Sequence, residues 1–216
     1  MLLRAIETQA IHSYCLGTFM SLIVKLDVGN MKNMREAWNK YGRPSGLREL
    51  LKAEVADGVQ QPSRLAEGSA SLSLLWSMRM KRFTTVTYEG FADTESAEPT
   101  SAFALRAYES HVGPYHGFVL QNIFRTGMRA LPSREAMLRC MEGAPPSAAA
   151  GEDPAEAAAA EPRRFVVAEG APELSAAERR EACLVELREC LDATRRVHVY
   201  VQRIIDDYGL KDDRKL

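Results

Sequence analysis

An all-α fold of a single domain is predicted by three observations. Strand signals are nearly absent, and the one β-like run, Thr84-Thr85-Val86-Thr87, sits inside a longer stretch with helical spacing. Apolar residues recur at steps of three and four, the spacing that lines one side of a helix. The chain has 216 residues, 46% hydrophobic and 26% charged, which is the size and balance of one globular domain with a core of its own. That balance excludes a fully disordered or fibrous chain.

The predicted helices cover roughly 5–26, 30–41, 46–56, 72–91, 102–111, 115–129, 134–142 and 176–208. Arg43-Pro44-Ser45-Gly46 breaks the chain after the second. In the fourth, Leu72, Leu75, Trp76, Met80, Phe83, Val86 and Gly90 mark one face. Pro114 suits a first helical turn, Ser133 an N-cap, and Ser175 with Glu178 a capping box. In the last helix Leu184, Leu187, Leu191, Val197, Val201 and Ile204 share a side, so it is expected to dock back onto the main body. Ala144 to Pro172 holds eleven alanines and five prolines, too few anchoring side chains for a core. Residues 144–172 are therefore expected to be a disordered insertion within one domain spanning 1–216.

Charge and motifs narrow the function. Lysines and arginines number 28 and acids 29, so the net charge of -1 gives no global pull toward nucleic acid or an anionic membrane. The four cysteines form no CxxC pair and, with the four histidines, give no zinc spacing. Free thiols, no metal and no cofactor are expected. Thr8 to Val24 has no formal charge but includes Gln9, His12, Ser13, Tyr14 and Ser21, too polar and short for a membrane span. A cytosolic location is the expectation. GxSxG, Walker A, GxGxxG and HExxH motifs are missing, and without a visible nucleophile–base pair an enzyme is the least supported class.

Four local features stand out, each with a plainer account beside it. Asp27 and Asn30 lie three apart in Leu26-Asp27-Val28-Gly29-Asn30, on one helix face, where the plainer account is a solvated edge or a helix break at Gly29. Trp76 lies on an apolar face with Arg79 one turn on; the plainer account is a core tryptophan. The basic residues Arg79, Lys81 and Arg82 are then a solvated stripe or, alternatively, a headgroup contact. In Tyr115-His116-Gly117-Phe118 the glycine permits close approach to the backbone, but a lone histidine among apolar neighbours is more often a hydrogen-bonded core residue. On the residues alone the plainer accounts are favoured.

Taken in order, these segments resemble the glycolipid transfer protein superfamily. "DVGN" at Asp27–Asn30 looks like its acid-and-asparagine headgroup motif, and "LLWSMRMKRF" at Leu74–Phe83 like its Trp-x-x-Arg-x-x-Arg-aromatic helix. "AYESHVGPYHGFVLQNIF" at Ala107–Phe124 is very similar to its histidine segment. "LPSREAMLRCM" at Leu131–Met141 and "LGTFMSLIVK" at Leu16–Lys25 resemble the ceramide-1-phosphate branch.

The resemblance implies a two-layer helical sandwich enclosing a hydrophobic lipid pocket, and a monomer that carries a sphingolipid, here a glycosylceramide, between membranes with transient peripheral contact. The alternative is a ceramide-1-phosphate carrier or lipid sensor; a third reading is an all-α interaction module without a ligand. By the resemblance, Asp27 accepts from the ceramide amide N–H and a sugar hydroxyl, and Asn30 bonds sugar hydroxyls. Trp76 stacks under the first sugar, and His116 donates to the acyl carbonyl. Lys32, Asn33 and Arg79 complete the headgroup set, with Phe118 and Tyr208 as membrane-docking residues. An amide donor, an amide acceptor and sugar hydroxyls suit a carboxylate, an imidazole N–H and an indole face.

Selectivity must reside in the headgroup. A chain of about 16 methylenes is worth roughly 13 kcal/mol against water, but the lipid leaves a bilayer in which those methylenes are already buried. Phosphate-binding members place an arginine where Trp76 stands and another one turn earlier, at Leu72 here, which favours a sugar.

Three departures matter. The family's acid and asparagine are four apart, so either a residue is lost near Gly29 or the acid is turned about 100° around the helix. The family's lysine one turn past the asparagine corresponds to Asn33, with Lys32 beside it, and Phe118 replaces a tryptophan. About 15 residues precede Leu16, so the first helix is expected either to be shortened to Ile6–Tyr14 or to be cut by an incomplete chain.

Overall fold

The computed structural model describes residues 18–61, 63–142 and 174–215, with side chains from Leu26 onward. Ile6–Tyr14 and the 144–172 insertion lie outside the described residues. Those residues form seven α-helices: α1 Thr18–Lys40, α2 Leu47–Ala56, α3 Ala70–Ala92, α4 Thr100–His111, α5 Phe118–Arg129, α6 Arg134–Met141 and α7 Ala176–Asp207. A 3-10 turn, Gly113–Tyr115, precedes α5. Among the described residues the only β-type pairing is an isolated bridge between Gln60 and Leu65. The all-α expectation holds.

The first two predicted helices are one. No break occurs at Gly29, whose missing side chain would meet open space. A mid-helix glycine costs about 1 kcal/mol relative to alanine. Contacts to α3 on both sides of it offset that cost: Asp27 pairs with Lys81, and Asn33 donates to Ser73. The helix ends where Gly42 takes φ +74 and Arg43 φ +60, with Arg43 N–H reaching back to the Trp38 carbonyl; Pro44 follows.

Helix α3 is the axis of the molecule, packed against α1, α2, α4, α6 and α7. Its N-terminus is capped twice. Ser69 accepts from Leu72 N–H, and the buried Glu54 carboxylate accepts from the Ala70 and Ser71 N–H groups and the Ser71 hydroxyl. The β-like threonine run stays helical because Thr84 and Thr87 hydroxyls bond the carbonyls of Met80 and Phe83 one turn back. Near the other end a side chain at Gly90 would sit 2.5 Å from the Phe103 ring, so this glycine lets α4 approach closely.

Two apolar clusters form the core. The first gathers Phe83, Phe91, Phe103, Tyr108, Phe124 and Met137, with Leu187 and Leu191 of α7. The second gathers Leu50, Leu51, Leu65, Leu74 and Met78, with Val201, Ile204 and Ile205 of α7. Helix α7 therefore docks as expected, with its predicted capping box formed by Ser175 and Glu178. Ser133 caps α6 as predicted. Trp76 packs against both clusters and so lies at their junction.

Helix α5 begins at Phe118, not at Tyr115. Pro114 opens the 3-10 turn instead, and Gln121 pins that turn by donating to the carbonyls of Gly113 and His116. Cys140 takes part in a disulfide, whereas free thiols were expected throughout; Cys183 and Cys190 are free.

Candidate functional site

Trp76 and Arg79 leave α3 one turn apart and meet the Tyr115–His116 segment. The Trp76 and His116 rings are stacked, 5.8 Å between centroids and 22° between planes. Tyr115 meets Trp76 edge-on at 6.3 Å. The Arg79 guanidinium lies 3.4 Å over the Tyr115 ring and 4.9 Å over Trp76, a cation held by two aromatic faces. Its Nη2 donates to the Asp212 carbonyl, while its Nη1 is buried without a partner. Burial pushes the Arg79 pKa down from its usual value.

His116 is 5% exposed, and its Nδ1 lies 3.0 Å from the Tyr108 hydroxyl. Burial lowers the imidazole pKa and raises that of Tyr108 to about 12. At neutral pH the imidazole is uncharged and the phenol keeps its proton. Phe124 sits 4.7 Å from the imidazole and stacks on Tyr108 at 5.1 Å, so the space beneath His116 is filled by aromatic rings. His116 is thus buried, hydrogen-bonded through Nδ1 and enclosed by rings.

Beside Trp76 a recess of about 170 Å³ opens between α1 and α3. Its walls include Asn30 and Asn33 of α1, Leu72, Ser73 and Trp76 of α3, the Glu67–Gly68 turn, and Asp212 and Arg214 of the C-terminal tail. Asn33 Nδ2 donates to Ser73 Oγ at 3.1 Å. The tail is tied down through Arg214, which donates to Asp212, Glu67 and the Leu65 carbonyl. The Asp212 carboxylate also accepts from Leu65 N–H. Arg214 holds this carboxyl below the usual range against the opposing effect of burial.

The predicted site residues thus fall into three places. Trp76, Arg79 and His116 meet in the aromatic knot, and Asn30, Asn33 and Trp76 line the recess. Asp27 is not on that lining. It is 7% exposed, with its Oδ2 2.9 Å from Lys81 Nζ and its Oδ1 buried without a partner. The solvated-edge account of Asp27 is therefore overturned, as is the solvated stripe, since Arg79 and Lys81 are 8% and 9% exposed. Lys32 points to solvent and pairs with Glu36 at 3.8 Å. Phe118 is 77% exposed and stands beside Val119 at 70% on the first turn of α5. Tyr208 caps α7, packs against the second cluster and donates its hydroxyl to the Arg48 carbonyl.

Sequence reasoning missed Glu67, Ser73, Tyr108, Asp212 and Arg214, and the pairing of Lys81 with Asp27. Tyr115 adds the aromatic face under Arg79, a role its place beside His116 in the sequence does not announce. Nothing local marks the tail residues, because Arg214 meets Glu67 across a separation of 147 residues. Among the described residues no group of three or more His, Cys, Asp or Glu could hold a metal, and no helix is long and apolar enough to cross a membrane.

An α-helical domain built on one central helix, with an aromatic knot and a polar recess on its flank, is the class of protein these features define. Residues 2–143 match the family model for Glycolipid transfer protein (GLTP), and the chain belongs to that family. It is 27% identical to the glycolipid transfer protein of Danio rerio over 134 residues, 59% of this chain and 62% of that protein. It is 24% identical to glycolipid transfer protein A of Xenopus laevis over 132 residues, with the same coverage. The chain thus spans less than two thirds of the length of these curated relatives.

Solved structures share the fold at low identity. The GLTP-fold structure of FAPP2, described as selecting simple glycosphingolipids, superposes with a TM-score of 0.69 at 19% identity, over 96% of this chain and 84% of that one. Human ceramide-1-phosphate transfer protein, solved with 12:0 ceramide-1-phosphate, gives 0.67 at 20% identity, over 95% and 85%.

Proposed function

We propose that this chain binds one sphingolipid by a neutral, sugar-bearing headgroup and moves it between membranes. The lining of the recess beside Trp76 carries the reading. Two side-chain amides and a hydroxyl stand with two carboxylates around one guanidinium, and Arg214 already bonds both carboxylates. Sugar hydroxyls donate and accept, so they match amides and carboxylates alike. A phosphate would meet Glu67 and Asp212 as like charges and would have to take Arg214 from them. Trp76 supplies the apolar wall that a sugar ring prefers.

The ceramide amide finds partners on either side. With Tyr108 as donor to His116 Nδ1, in the tautomer this reading requires, the imidazole proton sits on Nε2 and serves the acyl carbonyl. Asp27 Oδ1 is an acceptor lacking a donor, and an amide N–H is the group it lacks. The hydrocarbon chains would enter the first apolar cluster, whose packed rings separate as the lipid arrives. Docking falls to the start of α5. Phe118 and Val119, with Ile123 46% exposed, form an apolar surface suited to a membrane interface. Phe118 follows His116 by two residues, so docking there brings the ceramide site to the bilayer.

A second reading, a ceramide-1-phosphate carrier, has one observation in its favour: Arg79 Nη1 is buried and unpartnered. Vesicles containing galactosylceramide or ceramide-1-phosphate, with mass spectrometry of the lipid recovered on the protein, separate the two. Galactosylceramide is the expected cargo. Recovery of ceramide-1-phosphate instead would move the assignment to the phosphate, and recovery of neither would end the sphingolipid reading.

A further inference from the structure

We propose that Ser77 reads the ceramide itself, and that the chain prefers ceramides carrying one extra hydroxyl beside the amide. This rests on the glycosphingolipid reading above and narrows its cargo. Helices α1 and α3 run antiparallel along a seam in which Asn33 bonds Ser73 and Asp27 pairs with Lys81. Ser73, Ser77 and Lys81 follow one another at steps of four, so they share one face of α3. On α1, steps of three from Asp27 through Asn30 to Asn33 keep the facing stripe. The two bonds set the register, and it places Ser77 opposite Asn30 at the middle of the seam. That middle pairing is not made: Ser77 is 1% exposed and its Oγ is buried without a partner.

A helical hydroxyl can bond the carbonyl one turn back, as those of Thr84 and Thr87 do in the same helix. Ser77 does not, and a buried hydroxyl is costly to leave unpaired. Its position points to a ligand. Asn30 and Ser73 line the recess. One turn further in, about 5–6 Å along each helix, stand Asp27 on α1 and Ser77 on α3. Both carry an oxygen without a partner, Asp27 Oδ1 and Ser77 Oγ. A ceramide whose amide N–H reaches Asp27 Oδ1 brings the carbons on either side of that amide toward Ser77. The 3-hydroxyl next to the amide is common to all ceramides, and one carboxylate oxygen has lone pairs for both that hydroxyl and the N–H. A further hydroxyl, on C4 of the base or on C2 of the acyl chain, lacks such an acceptor and would enter the seam unpaired. Ser77 Oγ, which can donate and accept, is the partner it needs. The two sources present the same chemistry, a secondary alcohol a few bonds from the amide nitrogen.

The test is extraction by the full chain from vesicles holding three galactosylceramides, read by mass spectrometry: one without an extra hydroxyl, one hydroxylated at C4 of the base and one at C2 of the acyl chain. Wild type is expected to enrich at least one hydroxylated form about five-fold over the plain one, the factor one hydrogen bond contributes. Which form is enriched tells base from acyl chain. Ser77→Ala removes only an oxygen that bonds nothing in the free protein. Its urea midpoint should therefore not fall, and recovery of the plain form should stay at the wild-type level while the enrichment disappears. Equal recovery of all three lipids by wild type would overturn the proposal, as would an enrichment that survives Ser77→Ala. An equal loss of all three in Ser77→Ala would assign the serine to the 3-hydroxyl every ceramide carries, and the preference would again be refuted. If no galactosylceramide is recovered at all, the sugar reading itself falls and this extension goes with it.

Discussion

Helix α1 meets α3 through two polar contacts six residues apart, Asp27 to Lys81 at one end and Asn33 to Ser73 at the other. The first joins full charges whose side chains are 10% and 11% exposed. The second is a neutral bond on the wall of a recess. Nearly sealed from water, a charge pair acts as a clamp, because either partner alone would be stranded. A neutral amide beside an open hollow can exchange its partner for a ligand hydroxyl at little cost. Along one helix face the charged end therefore ties the seam through Asp27 Oδ2 and keeps only Oδ1 for the ceramide amide, while the neutral end can exchange its bond with the headgroup; what separates the two is charge and access to solvent.

The largest effect is expected at the clamp. Lys81→Met leaves the Asp27 carboxylate buried and unpaired, which should cost about 3–5 kcal/mol in urea unfolding. Adding Asp27→Asn should recover much of that loss, since the stranded charge is gone. A Lys81→Met protein of wild-type stability would mean that the pair is not sealed, and the contrast between the two ends would dissolve.

How the sequence foreshadowed this architecture depends on the range of the interactions involved. Helix α6 and the start of α7 lie within a residue or two of expectation because Ser133 and the Ser175–Glu178 pair are local signals, written within four residues of the ends they cap. Gly29 misled for the opposite reason. A glycine and a polar pair look like a helix end, and the contacts that carry α1 through them come from α3, some forty or more residues on. The same limit governs the site. Trp76 stacks on His116 and carries the Arg79 guanidinium over its ring, but Asp27 turns to Lys81. The three-residue spacing in place of four is the sequence feature that accompanies that turn. The Asp212–Arg214 wall was out of reach, since a charged tail after the last helix reads as a solvated end until its partners at Leu65 and Glu67 are seen.

An intermediate effect is expected from pH, and it again reports on the clamp end. His198 of α7 has a buried, unpartnered Nε2. Burial first, then the positive charges of Arg82, Lys81 and His111, push its pKa from 6.5 down to about 4. The unfolded chain takes up this proton first, so the stability held by the neutral imidazole is complete above pH 6.5 and is lost as pH falls toward about 4. Urea midpoints at a series of pH values should fall across that window. In a His198→Gln protein the fall should be shallower, the remainder belonging to carboxylates and other histidines. Equal slopes would mean that the surroundings of Lys81 are wetter than the clamp requires.

The smallest effect on stability is expected at the recess end, and it is the one that tests recognition. Asn33→Ala removes one neutral hydrogen bond to Ser73 on a wall open to water, so unfolding should weaken by about 1 kcal/mol or less. The same change takes two donors and an acceptor from the recess, and galactosylceramide recovery should drop about five-fold or more. Ser73→Ala removes the same contact but leaves the Asn33 amide free to meet the sugar, so its stability loss should match while recovery stays near wild type. That split between two partners of one bond is what a recognition wall predicts. If Ser73→Ala and Asn33→Ala lose stability and recovery in parallel, the bond is a structural tie like the one at Asp27, and the two ends of the α1–α3 seam do the same work.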